Sequence, residues 1–332
     1  MNYVIIWFSK PDNKMKSKNY KYIGEYMGPP GTARCVQIIK SIFWRPNMEK
    51  ARIQLIVDSC CDLTPELREK IDARVAPLKV RVAGGAEYVD DGTADIPALI
   101  ADMARSKQGA SSSCPSTEEY AAHMRAAEEC FVVTLSSRLS GSYNAARVAA
   151  DLVREDYPEK KIHVFDSESA SAGEVQLALF LHDRIEQGMD FEKIIPLADA
   201  YISKMRTLFV LEDLGNFVKS GRLSKVSGLL ASVLSLCPIM GDNGHGDIKL
   251  VAKARGIQNS LRKLTQTVAE LTAQAEEKSL RLVLAYCNCP ERAEALKRAL
   301  LEKCAALREI LLMPTGALST MYANDGGVIV AF

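Results

Sequence analysis

The segment Phe131-Val132-Val133-Thr134-Leu135-Ser136-Ser137-Arg138-Leu139-Ser140-Gly141-Ser142-Tyr143 decides the architecture. Its first five residues are an apolar, β-branched run of strand length. Residues 136–142 form a turn rich in hydroxyls and glycine, and residues 143–153 carry helical spacing. A buried strand turning directly into a helix is the building unit of a parallel α/β sheet. A second hydroxyl-rich segment, Ser111-Ser112-Ser113-Cys114-Pro115-Ser116, reads as a turn at the mouth of a helix over 116–129, with the capping-box pattern Ser116-x-x-Glu119. Hydroxyls and backbone N–H groups at helix N-termini suit a small anion such as a carboxylate or phosphate. Serines there also act as ordinary caps and turn formers, so the two turns together carry more weight than either alone.

Working outward, strands are expected at 53–57, 76–82 and 161–165, with helices at 64–73, 96–106 and 143–155. Strands alternating with helices imply a mostly parallel sheet covered on both faces. Ligands of such sheets bind outside the carboxyl ends of the strands. Asp58-Ser59, Ser136-Ser137 and Asp166-Ser167 all fall at those ends. The second half is mixed α/β. Amphipathic helices are expected at 174–187 and 191–205, strands at 206–210, 248–254, 280–287 and 327–332, and helices at 213–220, 255–277 and 290–304. An apolar helix at 225–235 is apolar almost all round and suits either a core or a tunnel wall. We place a domain boundary near Ser171-Ala172-Gly173. The chain then divides into an N-terminal α/β domain, 48–170, and a C-terminal α/β domain, 171–332, with a cleft facing the hydroxyl turns.

Residues 1–47 differ in kind. They carry eight Lys/Arg against two acids, a net charge of +6 that leaves −5 on the remainder. Both tryptophans, Trp7 and Trp44, lie there, and no period persists. This segment reads as an upstream extension with Met48 as the true start; the competing reading is a basic arm. The mildly acidic body carries nothing that suggests nucleic-acid binding. No apolar run is long enough to span a bilayer. Nine cysteines without a paired framework read as reduced thiols of a cytoplasmic protein. Cys287 and Cys289 lack a second ligand pair, so no metal is expected.

The motifs, taken in order, resemble the DegV family of bacterial fatty acid-binding proteins over residues 53–332. Asp58-Ser59 with Cys61-Asp62-Leu63 looks like the family's opening, and Ser113-Cys114-Pro115-Ser116 resembles its Thr-Ser-Gln-Pro-Ser loop. Ser136-Ser137-Arg138-Leu139-Ser140-Gly141-Ser142-Tyr143 is close to its Ser-Ser-x-Leu-Ser-Gly-Thr-Tyr signature. Phe165-Asp166-Ser167 with Gly173, Lys219-Ser220-Gly221-Arg222-Leu223, Cys237-Pro238-Ile239 and Lys253-Ala254-Arg255 follow. The resemblance implies a long-chain fatty acid held between two domains. It also implies a partner kinase that phosphorylates the presented carboxylate, making acyl-phosphate for phospholipid synthesis, with only transient membrane contact for acyl exchange. The chain itself is then a non-catalytic binding subunit without a cofactor. The ligand residues implied are Ser112, Ser113, Ser136, Ser137, Ser140, Gly141 and Tyr322, with Arg222 and Arg255 as contacts for the partner. Tyr322 stands where the family has a His. A phenol can donate one hydrogen bond but carries no positive charge at neutral pH.

Two enzymatic readings compete. A serine hydrolase needs a Ser on a tight turn, a His base and a carboxylate. Of His123, His163, His182 and His245, two fall in helical patterns and one in a Gly/Asn/Asp turn, and no G-x-S-x-G elbow occurs. A dihydroxyacetone-kinase-like phosphotransferase subunit would need a covalent His or a phosphate loop, and no G-x-x-x-x-G-K-[ST] is present.

Overall fold

The computed structural model describes residues 53–223, 237–276 and 279–332. The expectations for residues 1–47 and for the apolar helix at 225–235 lie outside the described residues.

Strand β1 (Gln54–Asp58) is buried along almost its whole length. It pairs in parallel with β2 (Ala73–Ala76) on one side and β6 (Glu129–Thr134) on the other, and β6 pairs in parallel with β7 (Lys161–Asp166). The order β2-β1-β6-β7 is a fully parallel sheet. Helices α3 (Thr117–Arg125) and α4 (Ser142–Asp156) pack on one face, where Ile56, Val132 and Ile162 meet Tyr120, Met124 and Ala149. The alternate residues Leu55, Val57, Phe131 and Val133 point the other way, into α5 (Ala172–Glu186) and α6 (Phe191–Lys204).

The second sheet has the order β10-β9-β8-β13-β11-β12, formed by Ile248–Ala252, Ile239–Asp242, Thr207–Val210, Val328–Ala331, Leu280–Tyr286 and Leu307–Pro314. Only β11 and β12 run parallel; the other pairs are antiparallel. Its outer face is covered by α8 (Ile257–Gln274) and α9 (Pro290–Lys303), through Leu264, Val268, Leu296 and Leu300. Its inner face supplies Val283, Ala285 and Ala331 to the same core that α5 and the parallel sheet build. Helix α5 is therefore a central layer shared by both sheets. The sequence reads as amphipathic there, yet nine of its residues are buried, including Glu174 and Gln176. Ser171 (φ 55°) stands just before α5; β1–β7 precede it in sequence and β8–β13 follow it.

Two local expectations are corrected. Residues 76–82 are not one strand. Pro77 lacks an N–H and interrupts the run, so β2 ends at Ala76 and β3 (Lys79–Val82) joins a separate antiparallel sheet. That sheet has the order β4-β3-β5, with β4 at Glu87–Val89 and β5 at Ala110–Ser113. The first hydroxyl segment is accordingly mostly strand: Ser111, Ser112 and Ser113 pair opposite Arg81, Val80 and Lys79. Only Cys114 and Pro115 turn the chain before α3. Ser116 caps that helix through the full capping box, with Ser116 N–H on Glu119 Oε2 (2.6 Å) and Glu119 N–H on Ser116 Oγ (3.2 Å).

Candidate functional site

The carboxyl ends of β1, β6 and β7 are tied to one another by side chains. Asp58, the last residue of β1 and fully buried, accepts from Cys60 N–H (3.1 Å) through Oδ1. Its Oδ2 accepts from Leu135 N–H (3.0 Å) and Ser142 Oγ (2.6 Å). Asp166, at the end of β7, accepts from Ser137 N–H (3.1 Å). The loop 136–141 thus hangs between two strand-end carboxylates. Its own turn is closed by the N–H groups of Leu139 and Ser140 on Ser136 O.

A cavity of about 320 Å³ opens against this loop, within the range of small-molecule sites. Much of its wall is apolar, from Leu78, Leu135, Leu139, Phe209, Leu211 and Leu318. Ser112, Ser113, Cys114, Ser140 and Gly141 contribute a patch of hydroxyl, thiol and backbone groups. The two hydroxyl segments meet there, since a Cβ on Gly141 would stand only 3.5 Å from Cys114 Sγ. The wall also carries Arg222 and Tyr322. Arg222 is anchored by Nε on Leu139 O (3.3 Å) and Nη1 on Ser220 O (2.7 Å). The Tyr322 ring leans on Phe217 at 4.6 Å between centroids. On the β9–β10 side, Glu168, Asp242 and Asp247 reach the wall. Burial, and then the nearby Asp166, raise the Glu168 carboxyl above its ordinary range.

The other residues expected at the site are placed differently. Ser136 is buried, and its hydroxyl donates to Gly246 O (2.8 Å) while accepting from Arg138 N–H (3.2 Å). Ser137 is exposed, bonds Asp166 through its backbone and does not line the cavity. Arg255 is exposed and also lies off the wall. No histidine lines the cavity among the described residues.

A cluster of buried acids, unmarked by the local sequence pattern, lies close to this wall. Asp62 accepts from Gly316 N–H (2.7 Å) and from Ser171 Oγ, and Asp90 accepts from the N–H groups of Ala317 (2.6 Å) and Leu318 (3.2 Å). Those two N–H groups open helix α10 (Ala317–Ala323), which carries Leu318, Ser319 and Tyr322 to the cavity. Burial lifts Asp62 to about 7, against the hydrogen bonds from Ser171 and Gly316. Glu174 of α5 is fully buried, and burial followed by the charge of Asp58 raises it well above the carboxylate range. The Asp of the Asp58-Ser59 pair was legible as a strand end. Nothing in the local pattern marks Glu174, because an acid in a helix is ordinarily read as a solvated position.

Fold and cavity together define an α/β protein with two main sheets, a shared central helix and an open, partly apolar cavity lined in part by hydroxyl groups. The chain belongs to the DegV family: the family model described as "Uncharacterised protein, DegV family" matches residues 52–332. A DegV domain-containing protein of Streptococcus pneumoniae is 34% identical over 284 residues, covering 84% of this chain and 98% of that protein. Among solved structures, a DegV family protein of Ruminococcus gnavus refined with vaccenic acid is similar at 38% identity and a TM-score of 0.79, over 85% of this chain and all of that one. The Streptococcus pneumoniae Fatty Acid Kinase (Fak) B3 protein, loaded with linoleic acid, is similar at 32% identity and a TM-score of 0.75, over 84% of this chain and 98% of that one. Among the described residues, no helix is long and apolar enough to cross a membrane.

Proposed function

We propose that this chain binds one long-chain fatty acid in the cavity between loop 136–141, β5, β8 and α10, and presents its carboxylate to an ATP-dependent kinase for acyl-phosphate formation. The observation that carries this reading is the composition of the wall, with aliphatic and aromatic side chains over most of it and Ser112, Ser113, Ser140 and Gly141 among its polar lining. Burying about ten methylenes at roughly 0.8 kcal/mol each supplies most of a micromolar affinity. The carboxylate, once out of bulk water, needs hydrogen-bond donors or it will take up a proton. The hydroxyls of Ser112, Ser113, Ser140 and Tyr322 are the donors we assign, with Arg222 at the rim as a group that meets the kinase or its phosphates. Relatives solved with vaccenic and linoleic acid support the ligand class. The kinase partner is supported by the name of the second relative. A binding role is supported by the same two relatives, each solved with a fatty acid in place.

Native mass spectrometry of the purified protein, followed by extraction and identification of bound lipid, tests this directly. A fatty acid at near one-to-one occupancy is expected. A protein that carries none, and that takes up neither oleate nor palmitate when offered them, would overturn the proposal.

A further inference from the structure

Helix α5 buries two polar side chains in the shared core, two positions apart and so on opposite faces of the helix, and they are treated very differently. Gln176 is fully employed: Nε2 donates to Arg281 O (2.7 Å) and Ala331 O (2.9 Å), and Oε1 accepts from Tyr201 OH (3.2 Å). Glu174 is as deeply buried, but neither carboxyl oxygen finds a hydrogen-bond donor among the described residues. Its polar neighbours are another carboxyl, Asp58, and the thiol of Cys60, with one atom of each of the three residues within 4.8 Å of the others. Two buried carboxylates at that distance repel each other strongly, so the pair is stable only if it holds a proton.

We infer that Glu174 and Asp58 share a single proton, carried by Glu174 and donated to Asp58, and that the pair is the positioning unit for the cavity loop 136–141. Asp58 already accepts from three donors, which is the environment of the ionised partner, and the Glu174 O–H would be its fourth. Ser142 passes the arrangement outward, donating to Asp58 and pairing with Tyr120 OH at 2.6 Å. One oxygen of Asp58 holds Leu135 and Ser142, the residues on either side of loop 136–141, so the spacing of the two loop ends depends on that carboxylate keeping its charge and place. Burial raises both acids, but hydrogen bonds from Ser142, Glu174, Leu135 and Cys60 oppose it at Asp58, whereas at Glu174 only the nearby Cys60 thiol opposes it. The groups facing the pair are Cys60, Cys61, Asp62, Tyr120 and Asp90. The effect on the loop rests on the fatty acid reading only where acyl affinity is the readout; the shared proton does not.

Infrared difference spectroscopy of the full chain at neutral pH, wild type against Glu174→Gln, reads the proton without reference to ligand. A protonated-carboxyl C=O band is expected in the difference spectrum, present in the wild type and lost in E174Q over whatever Asp62 contributes to both. No such band, or an equivalent of tightly bound metal in the purified protein, would overturn the shared proton. E174Q supplies an amide N–H in place of the acid proton, so it should bind a fluorescent fatty acid within about threefold of wild type. Asp58→Asn, or Ser142→Ala if that variant does not fold, should bind it about tenfold more weakly. Wild-type affinity in the loop-tether variant, or lost affinity in E174Q, would overturn the positioning role.

Discussion

Ser142 Oγ and Asp58 Oδ2 lie 2.6 Å apart, linking the first residue of helix α4 to the last residue of β1 across 84 positions of sequence. The same hydroxyl meets Tyr120 OH at 2.6 Å, and all three residues are fully buried. Removing it strands two polar groups away from water, the phenol and one acceptor site of the carboxylate. Ser142→Ala should therefore destabilise the protein by roughly 2–3 kcal/mol, read as a lower denaturant midpoint with an unchanged slope. A loss below about 0.5 kcal/mol would show that the triad is held by other contacts.

The hydroxyl patch separates into residues that face the cavity and residues that do not. Ser112 and Ser140 line it, whereas Ser137 is exposed and works through its backbone. Each hydrogen bond to a charged carboxylate contributes about 1.5–3 kcal/mol. Fatty acid affinity should thus fall on the order of tenfold in Ser112→Ala and in Ser140→Ala, and Tyr322→Phe should behave similarly. Ser137→Ala should leave it unchanged. Titration with a fluorescent fatty acid checks all four, and a weakened Ser137→Ala variant would move the head group to the other side of the loop.

The parallel half of the fold was legible because its strands are buried on both faces and read as unbroken apolar runs, as in Phe131–Leu135, while the intervening helices show their period. The convergence of Asp58, Ser136 and Asp166 at one sheet edge followed from that alone. What escaped was decided by partners distant in sequence. Ser111, Ser112 and Ser113 have turn chemistry, but pairing with β3 makes them a strand, because strand formation follows the neighbouring strand more than intrinsic preference. Helix α5 reads as amphipathic because Glu174 and Gln176 are polar, yet both faces of the helix are covered, at Gln176 by Arg281 and Ala331 of the second sheet and at Glu174 by Asp58 and Cys60 at the end of β1. Part of the cavity's apolar wall, such as Phe209 of β8 and Leu318 of α10, comes from elements that carry no signal beyond ordinary core character.

Gly246 is where the β9–β10 turn meets loop 136–141. Its carbonyl accepts from Ser136 Oγ, its φ is +80°, and a Cβ there would overlap the Ser136 hydroxyl and press on Glu168 Cα at 3.3 Å. Gly246→Ala combines an unfavourable left-handed conformation with a steric clash in a buried contact, together worth about 2–3 kcal/mol. Because Gly246 also lines the cavity, ligand binding should weaken along with stability. Thermal unfolding with and without fatty acid reads both effects. By contrast, Gly244→Ala meets nothing within 4 Å and carries only the cost of its φ of +82°, so the difference between the two variants isolates the contact with Ser136.

Asp62 links stability to pH with a definite sign. In the folded protein burial lifts it to about 7, whereas in the unfolded chain it titrates near 3.9. Below about pH 4 both states hold the proton and the group contributes no slope. Between about 4 and 7 the unfolded chain releases the proton while the folded protein keeps it, so stability falls as pH rises, by about 1.4 kcal/mol per unit. Above about 7 both are ionised and the slope from this residue ends. Asp58, Asp90 and Glu174 are also raised, so the whole-protein curve mixes several groups, and a subtraction is needed. Asp62→Asn keeps an acceptor for Gly316 N–H and lets the Ser171 hydroxyl turn round to accept from the new amide. The variant should therefore gain on the wild type by roughly 2–3 kcal/mol between pH 4.5 and 6.5, measured by urea unfolding at each pH. A difference that stays constant across that interval would mean that Asp62 is already ionised in the folded protein at the acid end, and that the donors from Ser171 and Gly316 outweigh its burial.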